Sequence, residues 1–201
     1  MEETGQLPIG ATRAAVILSR STRLLAAART GLVDVIFIVS EFSPTDRFAN
    51  FFRKHSALRG SAGAEIDPRI VADGFPVFSK RTSDAFSNPE LLTFLRKNEF
   101  ARLAIAGVFA EGCVRSTANS AVGHGYEVSV ISDAVESDKD WKKRVGLWSM
   151  RKNGARIKSC DEFLDEAEQG ATGQPATPPL SERILPHLEH TKRSLKKKAL
   201  K

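Results

Sequence analysis

The chain has 201 residues, 41% of them hydrophobic and 7% aromatic, which suits one domain with a core of its own. Its net charge is +6, but residues 191–201 carry six cations and no acid, so the excess is a property of the tail and not of a basic binding face. Two cysteines exclude a disulfide scaffold, no apolar run approaches the roughly 18 residues of a membrane helix, and the start lacks the basic-then-apolar form of a signal peptide. A cytoplasmic setting is the expectation.

Residues 1–11 hold Pro and Gly without a period and read as loose. Over 12–30 the apolar positions Val16, Ile17, Leu18, Leu24, Leu25 and Ala28 recur at helical spacing, with Arg29 suited to the helix end and Gly31 as a stop. Residues 33–39, VDVIFIV, form a β-branched run of the kind buried on both faces in a parallel sheet. A loop with a short amphipathic piece at 47–55 follows, then a short strand at 77–80. Asn88-Pro89 starts a helix running to about Lys97, with Asn as cap and Pro in the first turn. Further on, helices are expected at 141–153 and 161–169, with a short strand between them at 155–159. Residues 170–181, GATGQPATPPLS, read as a linker to the lysine-rich tail. The divisions are therefore a loose start at 1–11, one domain at 12–169, and a linker with a basic tail at 170–201. Strands alternating with helices give an α/β fold, a doubly wound, mostly parallel sheet with helices on both faces.

The most informative stretch is 103–133, LAIAGVFAEGCVRSTANSAVGHGYEVSVISD. It reads strand, tight turn, helix, strand. Cys113 sits at the turn, just past a strand and at the head of a helix. There the helix dipole and unpaired N–H groups favour a thiolate, and sheets of this class place their sites at the carboxyl ends of strands. Cys113 is thus the candidate nucleophile. Cys160 lacks that setting and reads as structural.

Several segments, in order, resemble the isochorismatase-like cysteine hydrolases, which include nicotinamidases and N-carbamoyl amide hydrolases. They are Lys80 in VFSKRTSDAF before the helix PELLTFLRK; GVFAEGCV at 107–114; Thr117-Ala118; Gly125-Tyr126; ISDA at 131–134; and LWSMRKNGARI at 147–157. The resemblance covers about 12–160. It implies hydrolysis of a small-molecule amide-type C–N or related bond through a covalent intermediate on Cys113. It implies Lys80 as the cation that favours the thiolate. It also implies a cis peptide at Val108–Phe109, setting the N–H of Phe109 beside that of Cys113 as an oxyanion hole. Phe109 stands where a smaller or polar residue is usual and is expected to narrow or reshape the pocket. A homo-oligomer is implied as well.

The resemblance also shows a departure. Family members open on an apolar strand that ends in a catalytic Asp, and nothing here matches it; Glu2 and Glu3 are the only acids before the first helix. The fold expected is thus one whose first central strand is missing, with a gap between the strands at 33–39 and 103–109. A chain shortened at its start is the favoured explanation, a genuine pseudoenzyme the other. The alternative function is accordingly a catalytically impaired member that binds a ligand or a partner; a redox-sensing thiol is a weaker third option. No cofactor is expected, and no metal either: the nicotinamidases that the chain resembles bind one through an Asp-x-His pattern after the second strand, where SEFSPTDRFANFFRKHS offers His55 as its one histidine. Phe42, Phe48, Phe51 and Phe52 could line a pocket or simply pack. His124 reads as a helix-end residue and Asp133 as structural. The tail is read as solvated, without a specific nucleic-acid partner.

Overall fold

The structure is a computed structural model that describes residues 9–42 and 64–171. The piece expected at 47–55, with His55, Phe48, Phe51 and Phe52, and nearly all of the linker and tail lie outside the described residues. Helix α1 spans Ala11–Arg29 and buries Ala14, Ile17, Leu25 and Ala28. Strand β1 is Phe37–Ser40 and pairs in parallel with β2, Val77–Lys80, in register from Phe37 opposite Val77 to Ser40 opposite Lys80. Strand β1 begins four residues later than the apolar run suggests, because β2 offers only four residues to pair with it. After β2 a loop leads through a short 3-10 turn at Ala85–Ser87 into α2, Pro89–Lys97. The Asn88 side chain accepts the Glu90 N–H, as its sequence position predicts.

Strand β3, Arg102–Val108, ends at an irregular turn, Ala110–Val114, which passes directly into α3, Arg115–Gly123. Strand β4 is Glu127–Glu136, followed by α4, Asp140–Lys152, then β5, Arg156–Lys158, and α5, Cys160–Ala171. Strand β4 lies between β3 and β5, all parallel. It is buried on both faces. One face packs Val128, Val130 and Val135 with Ala118 and Ala121 of α3 and Met150 of α4. The other packs Ile131 and Ala134 with Cys160, Leu24 and Phe163. Each fully buried side chain of this kind contributes about 1.5–3 kcal/mol of hydrophobic stabilisation. The result is three layers, with helices on both faces of a parallel sheet.

The sheet is interrupted. Strands β1 and β2 form one ladder and β3, β4 and β5 another. Among the described residues no strand joins β1 to β3, which matches the gap expected between them.

Candidate active site

Lys80 and Cys113 arrive from different ladders. Lys80 closes β2, and its own carbonyl accepts the Glu41 N–H at 2.9 Å, which anchors its backbone. Its side chain is only 5% exposed. Cys113 lies in the turn after β3 and is half-buried. The Lys80 Nζ stands 3.1 Å from the Cys113 Sγ. It also donates to the Thr82 carbonyl at 3.0 Å and approaches that of Ser83 at 3.5 Å. The ring of Phe42 lies 5.6 Å below it. An ammonium has three N–H donors, and here two carbonyls and one sulfur meet them. A charge taken out of water needs such partners. The cation is thus held in place directly beside the Cys113 sulfur.

The turn that presents Cys113 is braced from three sides. Gly107, at φ 126°, adopts a conformation other residues rarely take, just ahead of the cis peptide between Val108 and Phe109. The Phe109 carbonyl accepts the N–H groups of Gly112 and Val114 at 3.0 and 3.2 Å, closing the turn on itself. The Phe109 ring packs with Val108 on Ile9, Ala14 and Ile17, so the start of α1 takes up its bulk. From the end of β4, the fully buried Ser137 accepts the Ala110 N–H at 3.2 Å and donates to a Glu111 carboxylate oxygen at 2.5 Å. From the outer layer, Gly146 of α4 lies so close that a Cβ there would come within 2.6 Å of the Ala110 carbonyl carbon. A glycine inside a helix is normally a weakness; here it permits the contact.

Of the residues singled out in the sequence, the structure brings Cys113 and Lys80 into contact and places the Val108–Phe109 bond at the base of the same turn. The sequence did not single out Ser137, Gly146 or the loop carbonyls. Gly146 carried a usable signal, as an isolated glycine within a helical pattern. Asp133 lies inside β4 and not at a strand end. Its carboxylate accepts the Cys160 N–H at 2.8 Å and pairs with Arg20 at 2.8 Å, a structural role. His124 caps α3, with its ring on Phe86 at 4.9 Å. Among the described residues no three His, Cys, Asp or Glu side chains gather as a metal would require. Cys160 also stands at a helix start, but it is fully buried and that burial pushes its thiol up, whereas Cys113 is half-buried beside Lys80.

A family model for the isochorismatase domain matches residues 10–162. The chain is 27% identical over 162 residues to the Arabidopsis thaliana protein "Probable inactive nicotinamidase", spanning 75% of this chain and 82% of that one. It is 31% identical over 122 residues to N-carbamoylsarcosine amidase of Arthrobacter sp, spanning 57% of this chain and 45% of that one, less than half of the relative's length. The crystal structure of an isochorismatase-like hydrolase from Alkaliphilus metalliredigens shares the fold, with a TM-score of 0.73 at 19% identity over 82% of this chain and 92% of that one. The model match runs through both ladders and the Cys113 turn, and the chain belongs to the isochorismatase domain family.

Proposed function

We propose that the protein is a cysteine hydrolase acting on an amide-type C–N or related bond of a small molecule, with Cys113 as nucleophile and Lys80 as its cationic partner. The observation that supports this most is the 3.1 Å contact between the Lys80 ammonium and the Cys113 sulfur. The thiolate attacks the substrate carbonyl carbon, a C–S bond forms, and the carbonyl electron pair moves onto oxygen. The N–H groups of Phe109 and Cys113 receive that oxyanion. Collapse breaks the C–N bond, the nitrogen leaves with a proton from solvent or the site, and water hydrolyses the thioester to restore Cys113. The reading needs no cofactor or metal, and it takes the protein to be a cytoplasmic homo-oligomer, which sedimentation of the purified chain would check.

A second reading, a catalytically impaired member that binds a ligand or partner, is supported by the lack, among the described residues, of a strand between β1 and β3. Among the described residues no carboxylate pairs with Lys80. The test is a burst experiment on a panel of activated amides and N-carbamoyl compounds, with adducts located by peptide mass spectrometry. Hydrolysis predicts an acyl or carbamoyl adduct on Cys113 and its loss in Cys113→Ala. No burst and no adduct across the panel sinks hydrolysis in favour of the binding reading.

A further inference from the structure

The proposed chemistry does not use two polar side chains on the helix that follows Cys113. Thr117 and Ser120 lie three residues apart on α3 and so share a face. Both meet the loop between β2 and α2. Thr117 Oγ1 accepts the Ala85 N–H at 3.1 Å, and Ser120 Oγ donates to one carboxylate oxygen of Asp84. The other oxygen of Asp84 accepts the Phe86 N–H at 2.9 Å, capping the short 3-10 turn. This loop also holds the Thr82 and Ser83 carbonyls that receive the Lys80 ammonium. Thr82 is bound to Asp84 in turn, since the Asp84 N–H donates to Thr82 Oγ1 at 3.1 Å.

These bonds close a circuit. Cys113 leads into α3; α3 holds Asp84 through Ser120; Asp84 holds the Thr82–Ser83 segment; that segment holds Lys80; and Lys80 reaches back to Cys113. The segment needs such a tie. Arg81 and Thr82 are exposed and belong to no helix or strand, so their own backbone pairing does not fix where the carbonyls point. A reactive group must be held to within roughly 0.5 Å to work, and supporting hydrogen bonds are what hold it.

We propose that Asp84 and Ser120 are a positioning pair for this site, holding the carbonyl seat of Lys80 and so setting the reactivity of Cys113. The inference rests on the reading that Lys80 and Cys113 act together, and its test separates the two. The rate of Cys113 alkylation by iodoacetamide is measured by peptide mass spectrometry in the full chain and in Ser120→Ala, Lys80→Ala and the double variant, with Cys160 as internal reference. A contribution that acts through Lys80 slows Cys113 about three- to tenfold on Ser120→Ala, the factor that one net hydrogen bond corresponds to, and vanishes in the Lys80→Ala background. Asp84→Asn, which keeps the acceptor for Phe86, gives slowing of the same kind, and Ser120→Thr, which keeps the hydroxyl, restores the rate. Equal slowing in both backgrounds, or of Cys160 as well, marks a merely structural bond and overturns the inference. So does a Ser120→Ala protein at the parental rate while Lys80→Ala is slow, which leaves the hydrolase reading standing. A Lys80→Ala protein that alkylates like the parent removes that reading and the inference together.

Discussion

Lys80 is a buried ammonium whose charge is met by two backbone oxygens, a sulfur and an aromatic face. Cys113 was legible in the chain because turn chemistry marks it, and Lys80 only through the family resemblance. Asp84 and Ser120 were not, because a Ser on a helix and an Asp in a loop acquire meaning only when tertiary packing brings them together. The same holds for Asp67, a buried carboxylate that Arg69 grips through Nε at 2.9 Å and Nη2 at 2.8 Å. Hydrogen bonds from the Arg69 side chain hold this carboxyl well below the usual range, against the opposing effect of burial. A carboxyl lowered on folding adds stability above its unfolded value near 4, and that stability is lost as pH falls through the lower folded value. Asp67→Asn should therefore lower stability by about 1 kcal/mol at pH 7, a figure kept small because Arg69 is half exposed. Urea unfolding at pH 7 and below pH 4 checks this: the gap between parent and variant should narrow in acid.

Helices α1, α2 and α4 fall within a residue or two of their expected bounds, since periodicity, the Asn88 cap and Pro89 mark them. Strands were less legible because pairing decides their length. β4 runs to Glu136, past the polar Ser132 and Asp133 that interrupt its apolar run. Their side chains are satisfied across the fold: Ser132 Oγ donates to the Lys158 carbonyl at 3.1 Å, and Asp133 takes the N–H of Cys160. The packing of α4 on the Cys113 turn depends on Gly146. Gly146→Ala drives a methyl into backbone, which cannot move aside as a side chain can. It should cost about 1–3 kcal/mol in thermal or urea unfolding despite the better helix propensity of alanine. Because the displaced atoms belong to the turn, Cys113 alkylation should slow as well. A neutral substitution would show that α4 does not brace the turn.

Across the whole molecule, the alternation of strands and helices foretold the parallel layers, and resemblance foretold the break between β1 and β3 seen among the described residues. Spacing alone could not place that break, because strand order is a property of the packed sheet and not of any one segment. The break makes the contact across it significant: Lys80 comes from one ladder and Cys113 from the other, yet they meet at 3.1 Å. The central claim is that this contact is a working one. Alkylation of the folded chain with iodoacetamide at pH 7, followed separately on the two cysteines, tests it most directly. Cys113 should react far faster than the buried Cys160, whose thiol burial keeps protonated, and Lys80→Ala should slow Cys113 by about tenfold or more, the loss expected when a close cation is removed from a thiolate. Equal, slow rates at both cysteines, unchanged by Lys80→Ala, would contradict the account.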